Sequence, residues 1–370
     1  MNIEIQLLKS TDEFKLIRDE WNLLTDNCIY PNAFLRAEWL LAWWKWFGNK
    51  LGTFYVLTVR EQGHLIGGLP LFCERNGTLK FLGFDGVTCP EYLGLVVKLE
   101  YLEQTVQELL QFFICQKNWT QFYFEDYAIE DAGTSRFVEL LKQQFPSWEC
   151  AGEGRYYIPL PNSYEKYLKT RGQNNRYKKR KELKQAINEY HAHLVEPEYS
   201  KIDQHFLELR RLGIAALEHK TLPPMARDDF AGLVYDLLVE LLPSGKFRVF
   251  ILYYDDKPAA FKLGFVHAGK FYDYLTGFDP KLSGRAGNIV IHFILMRLID
   301  EGFNEFDFLR GLEDYKTHWT EQQHQTQTII IFRKRGFAYY RTLFVETILR
   351  PFVQKIKFSV LPVCSVFNIF

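Results

Sequence analysis

Apolar and polar positions follow two different periods along this chain. Residues 31–48, PNAFLRAEWLLAWWKWFG, open on a turn signal and run into a tryptophan-rich apolar stretch at helical spacing that stops at Gly48. FYVLTVR (54–60) and LIGGLPLF (65–72) are β-rich runs around a polar turn at Gly63, the pattern of a hairpin. TLKFLGF (78–84) extends the meander, and residues 101–117 return to a helical period. The second half repeats this order: FRVFILYYDD (247–256), PAAFKLGFVH (258–267) and KFYDYLTGFD (270–279) read as three strands with tight turns. Gly83-Phe84-Asp85 also recurs as Gly277-Phe278-Asp279. The pattern predicts mixed α/β (α+β) sheets in two similar halves, residues 1–160 and 161–336, joined near Tyr156–Pro161, with a helical tail over 337–370.

The halves part after their third strands. The second continues into KLSGRAGNIVIHFILMRLIDEGF (281–303), a small-residue loop opening into an apolar helix, whereas VTCPEYLGLVV (87–97) has no such loop. The turn Ser283, Gly284, Arg285, Ala286, Gly287, Asn288 would leave backbone N–H groups together at the positive end of a helix dipole. A pyrophosphate fits there, with Arg285 adding charge-assisted bonds; the alternative is an ordinary strand-to-helix turn. Further on, a strand breaks into a polar turn carrying Asp307, Arg310, Glu313, Tyr315, Lys316 and His318, acid, base and proton donor at one strand end. A solvated loop of ion pairs is the competing reading.

Composition changes the picture at several points. The 370 residues hold 45 Lys+Arg against 45 Asp+Glu, so the whole surface is not built for nucleic acid and no DNA partner is expected. That neutral total hides a basic block from Lys166 to Lys184, with nine Lys/Arg and one acid, Glu182. On a helix its cations go around the cylinder while Tyr177, Leu183 and Ile187 reach inward; it is either a solvated face or a phosphate-facing patch with Arg176 and Lys179 as members. Six scattered cysteines without a C-x-x-C pair, and histidines without H-E-x-x-H spacing, predict reduced thiols and no metal. The charged N-terminus and the lack of a long apolar window point to a cytoplasmic protein. No G-x-S-x-G, P-loop or G-x-G-x-x-G is present, which argues against elbow-type hydrolases and P-loop ATPases. Trp39, Trp43, Trp44 and Trp46 read as core or as a sugar-stacking platform.

Six segments in order resemble one family. They are F-x4-W-x3-WW-x2-FG from Phe34 to Gly48, GHLIGGLPLF, the Arg/Lys-rich helix near Arg176, G-F-D-P at 277–280, the Gly-Asn turn into a helix, and F-D-F-L-R-G-x-E-x-Y-K-x-x-W at 306–319. Over roughly residues 10–335 the chain resembles the GNAT-superfamily acetyltransferases of the CelD-like type, relatives of the Fem-type aminoacyltransferases. The resemblance implies two GNAT-like acyltransferase halves in tandem, with an acyl donor between splayed strands of the second half. It implies acetyl-CoA or another acyl-CoA as co-substrate, its pyrophosphate on the 283–288 loop, and an amine acceptor such as an amino sugar or an envelope or polysaccharide precursor. Aminoacyl-tRNA is the Fem-type alternative donor. Glu313 is then expected to take the acceptor's proton, Tyr315 to serve as acid for the thiolate, and Lys316 to stabilise the oxyanion or a phosphate. Asp273, Tyr274, Arg176, Lys179 and Arg310 are the expected substrate contacts. From another class, a non-catalytic glycan-binding accessory factor of polysaccharide assembly also accounts for the tryptophans. The tail mixes apolar runs with Arg341, Arg350, Lys355 and Lys357, suited to a closing helix or to peripheral contact with an anionic membrane.

Overall fold

The computed structural model describes residues 3–83, 92–216, 222–282, 285–311 and 313–349. The first half runs β1 (Ile3–Leu8), α1 (Thr11–Leu16), α2 (Arg18–Asp26), α3 (Ala37–Trp43) and the one-turn α4 (Asn49–Leu51) into the hairpin β2 (Gly52–Glu61) and β3 (His64–Glu74). It continues with β4 (Thr78–Phe81), β5 (Val96–Val97), α5 (Leu102–Cys115), β6 (Gln121–Ala128), α6 (Ala132–Gln144) and β7 (Ser147–Ala151). The second half begins with β8 (Arg155–Pro159), α7 (Tyr164–Thr170), α8 (Gln173–Tyr190), β9 (His193–Val195), α9 (Ile202–Ala215) and α10 (Asp228–Leu241). The meander β10 (Phe247–Tyr254), β11 (Lys257–His267) and β12 (Lys270–Phe278) follows, then α11 (Ala286–Asp300), β13 (Glu305–Arg310), α12 (Asp314–Thr317) and β14 (Gln323–His324). Last come β15 (Thr326–Phe332) and α13 (Phe337–Phe344). The predicted hairpins are present because their two-residue turns, Gln62-Gly63, Asp255-Asp256 and Ala268-Gly269, all take positive φ, the geometry that matches strand twist.

Two mixed sheets result, of order β1-β2-β3-β4-β6-β15-β7, with β5 on β3, and β14-β8-β13-β12-β11-β10-β9. Each contains one parallel pair, β4 with β6 and β12 with β13, separated in sequence by α5 and α11. The two-half pattern therefore holds, but the sheets do not separate at residue 160. The segment read as a junction, Arg155–Pro159, is a strand of the second sheet, and Thr326–Phe332 returns to lie between β6 and β7 in the first. Without that returning strand β6 and β7 would expose unpaired backbone groups, so each half completes the other.

Side chains of the second sheet alternate between two cores. Phe250, Leu252, Phe271, Phe306 and Phe308 pack with Ile291 and Leu295 of α11, whereas Val249, Ile251, Phe261, Leu263 and Tyr272 join α9, α10 and the whole first half. Trp39 and Trp43 are fully buried, and Trp39 meets Phe265 and Tyr274 edge-on at 5.6 Å each. Both are core and not a sugar platform: Trp39 fastens the halves together, Trp43 packs on Phe72 of the first half, and Trp46 reaches Asp236 of α10 at 2.7 Å. On α8 two of the three expected inward residues point out, Tyr177 at 70% and Ile187 at 45% exposed, Leu183 is half-buried, and Lys179 and Ala186 are the buried positions. The helix presents its 175/179/182/186 stripe to α11, a face that hydrophobicity alone does not reveal because one of its members is a lysine. In the tail, α13 buries no residue, and positions 350–370 lie outside the described residues. No described helix is long and apolar enough to cross a membrane.

Candidate active site

The parallel pairing of β12 with β13 runs from Lys270↔Glu305 to Tyr272↔Asp307 and then ends, although both strands continue, to Phe278 and Arg310. The strands splay, and two local devices push them apart. On β12, Tyr274 is inserted between the partners of Leu263 and Gly264, a bulge that bends the strand. Gly264 is required there, since a Cβ would stand 2.0 Å from the Tyr272 carbonyl oxygen. On β13, Leu309 takes φ +59° and Gly311 φ +108°, and pairing with β8 slips between Asp307 and Arg310. Asp307 holds this turn, accepting from the Leu309 amide at 2.7 Å and from the Tyr92 hydroxyl of the first half.

The splay opens a cleft of about 240 Å³ whose chemistry comes from Asp273, Tyr274, Arg310, Glu313, Tyr315 and Lys316, with Met225 on the α9 side. The structure thus gathers the expected catalytic trio and three of the five expected substrate contacts around one space. Their roles differ from the sequence reading. Lys316 is buried, and its ammonium donates to the carbonyl oxygens of Leu309 at 3.2 Å, Arg310 at 2.7 Å and Gly311 at 3.1 Å, with Glu313 2.8 Å away. An ammonium has three protons, so Lys316 is spent on shaping the turn and has none left for an oxyanion or phosphate. Arg310 lines the cleft but pairs with Glu125 at 3.0 Å and Glu153 at 3.1 Å, acids of the first half, and so is a tie between the halves instead of a substrate contact. Glu313 is exposed at the cleft rim.

Asp273 is the most reactive-looking group in the cleft. It is 8% exposed, one carboxylate oxygen is held by the buried Lys262, and the other has no hydrogen-bond partner among the described residues. Burial raises its carboxyl above the ordinary range, opposed by Lys262. Tyr315 stands close by; burial and the charges of Asp273 and Glu313 raise its phenol, so it remains protonated at neutral pH. Lys262 was missed by the sequence reading, though a lysine inside the apolar run PAAFKLGFVH is a signal for a buried counter-charge.

The expected donor loop lies on the opposite, α11 side of this sheet. Ser283 and Gly284 fall outside the described residues. Arg285 caps α11 and pairs with Glu182 of α8 at 3.6 Å, while the amides of Asn288 and Ile289 turn in to the Arg285 carbonyl at 2.9 Å. Gly287 has a packing reason, since a Cβ there would meet Phe278 at 3.2 Å. Asn288 lines a second, smaller pocket of about 100 Å³ with Asn175, Lys178, Lys179, His318 and Trp319. Arg176 lines neither pocket. The cations and amide side chains there suit the phosphates of a CoA-type donor.

Beneath the cleft, Glu305, Asp307 and His324 bring one ligating atom each within 4.8 Å of one another. Glu305 meets Lys270 at 3.0 Å and His324 at 3.2 Å, His324 also meets Glu130 at 2.7 Å, and Asp307 accepts from the Tyr92 hydroxyl, whose ring the Arg155 guanidinium covers at 4.1 Å. This buried network joins the halves behind the turn that ends β13.

Residues 177–317 match the family model described as an acetyltransferase (GNAT) domain. Among solved structures, the chain resembles FemX, with a TM-score of 0.57 at 11% identity over 88% of this chain and 96% of that one. It also resembles a conserved protein of unknown function from Bacteroides thetaiotaomicron VPI-5482, with a TM-score of 0.54 at 13% identity over 89% and 100% of the two chains. L-PGS from Bacillus licheniformis gives 0.50 at 13% identity over 76% and 86%. These identities speak for fold alone, and no curated protein matches the sequence. The second half of the chain thus carries a stretch similar to a GNAT acetyltransferase domain, within two mixed sheets whose overall fold resembles that of these structures.

Proposed function

We propose that the protein is an acyl-CoA-dependent N-acyltransferase in which the donor enters from the α11 side and an amine acceptor from the α9 side of the β12–β13 splay. The observation that carries this reading is the splay itself, because it opens a polar cleft between the diverging ends of β12 and β13. Arg285 to Asn288 and the lysines of α8 receive the donor's phosphates, and the cleft aligns the two substrates, which supplies much of the acceleration. The orphan oxygen of Asp273 accepts the proton of the attacking amine, with Glu313 at the rim relaying it to solvent. Tyr315, kept protonated, donates to the departing thiolate. Lys316 positions the turn from which Glu313 and Tyr315 project.

The carboxylates of Asp273 and Glu313 favour an acceptor that arrives as an ammonium, such as an amino sugar or an envelope or polysaccharide precursor. The outward cations of α8 favour a second reading, transfer from aminoacyl-tRNA as the Fem-type resemblance implies. Calorimetric titration of the full chain with acetyl-CoA and with aminoacyl-tRNA, followed by thiol-release assays over a panel of amines, tests both. Acetyl-CoA binding with amine-dependent thiol release supports the first; binding of neither donor removes the transferase reading and returns attention to a glycan-binding accessory role.

A further inference from the structure

We propose that the outward face of α13 is a docking surface for an anionic bilayer. The helix is eight residues long and buries none of them, yet its sides are sorted. Tyr339 packs edge-on against Phe332 of β15 at 5.3 Å and Leu343 is half-buried, so these two face the protein. Phe337, Tyr340, Arg341 and Phe344 stand at i, i+3, i+4 and i+7, which places them on one stripe. All four are exposed, Phe337 at 83%, Tyr340 at 59% and Phe344 at 51%. A surface helix ordinarily turns its large apolar side chains to the core, whereas three aromatic rings here face away from it. A contiguous aromatic face beside cations marks a surface for something outside the fold.

Charge selects the occupant. Lys334 and Arg335 are exposed just before the helix, and Arg341 lies within the stripe. From residue 333 to residue 370 the sequence carries seven Lys/Arg against one acid, Glu346, in a chain whose total is 45 against 45. Glu346 is half-buried, with its charge acting on Tyr123 of β6. Aromatic rings flanked by lysine and arginine fit the headgroup level of a bilayer, where the rings enter the acyl boundary and the cations meet anionic lipid phosphates. A second copy of this chain on the same face would set like charges against each other, which disfavours self-association. At about 1.5 Å per residue the helix spans roughly 12 Å, far short of a hydrocarbon core of about 30 Å, so it lies on the membrane surface. The docking does not rest on the transfer chemistry proposed above, and either stands if the other fails.

The test is co-sedimentation of the full chain with vesicles of phosphatidylcholine alone and of phosphatidylcholine with about one third phosphatidylglycerol, alongside hydrogen exchange of the α13 amides. Wild type is expected to bind the anionic vesicles about tenfold or more tightly than the neutral ones, with α13 exchange slowed by them. That preference should vanish in about 0.5 M salt, where the Debye length falls to about 4 Å. Phe337→Ser combined with Tyr340→Ser and Phe344→Ser is expected to lose about tenfold or more and, since these side chains are exposed, to melt like wild type. Lys334→Gln combined with Arg335→Gln and Arg341→Gln should lose about fivefold per cation on anionic vesicles and nothing on neutral ones. Should the serine variant melt lower, the glutamine variant, which changes only exposed charge, decides alone. Equal vesicle binding by wild type and variants overturns the proposal. So does slow α13 exchange that vesicles leave unchanged, which would put another part of the chain over the stripe. A lipid-free dimer in sedimentation velocity that the serine variant dissociates also overturns it, making the face a contact between copies.

Discussion

The Lys316 ammonium donates to the Arg310 carbonyl oxygen at 2.7 Å, six residues back across the turn that ends β13. With the Leu309 and Gly311 carbonyls it closes a three-acceptor cradle, and the left-handed backbone at Leu309 and Gly311 is what aims those carbonyls at one point. The lysine of the F-D-F-L-R-G-x-E-x-Y-K-x-x-W segment is thus an internal clamp that sets where Glu313 and Tyr315 stand.

Lys316→Met should therefore lose stability and turnover together. Three buried carbonyls lose their donor, a cost of about 1–3 kcal/mol, and thermal melts should fall with kcat. A variant that melts like wild type yet turns over a hundredfold slower would mean a direct chemical role.

Asp273→Asn keeps the volume and removes the base. We expect kcat to drop about a hundredfold or more with little change in KM. Because burial raises the Asp273 carboxyl, the acidic limb of wild-type kcat/KM should lie above the usual carboxylate range of about 4, with activity rising as pH rises through it. Persistence of that limb in the variant would assign it to another group.

Arg310→Ala should weaken the joint between the halves. It leaves Glu125, largely buried, without its cation, and Asp126 with Arg155 alone, for a cost of about 3 kcal/mol in urea unfolding. Donor binding measured below the transition should stay within twofold, whereas a selective loss of acceptor affinity would restore Arg310 as a substrate contact.

Acid should destabilise the fold through His292. Its ring is buried and held down to about 3, against about 6.5 in an unfolded chain, so the unfolded state binds the extra proton between those values. The contribution is complete above pH 6.5 and is lost as pH falls toward 3; His267, pushed down to about 4, acts in the same sense. Urea midpoints measured from pH 7 to pH 5 should decline, and less steeply in His292→Gln. Equal slopes would place the acid sensitivity elsewhere.

The alternation of apolar positions in 54–72 and 247–278 was enough to read both meanders, since a hairpin's register is local and its turn residues declare themselves. The tandem order, the helix opening near Arg285 and the cluster from Asp307 to His318 were equally legible. The boundary at 160 was not, because Arg155–Pro159 and Thr326–Phe332 choose their sheets by the unpaired edges waiting for them, which no local pattern records.

The sequence by itself determined the elements, the two-half plan and which polar residues end at one strand terminus, all consequences of side-chain period and turn chemistry. Only the tertiary structure decided what those residues do. Three backbone carbonyls claim Lys316, acids of the other half claim Arg310, Lys262 holds one oxygen of Asp273, and the Trp319 ring lies against Lys179. A charged group's role is set by which partners reach it once water is excluded, and those partners come from distant parts of the chain.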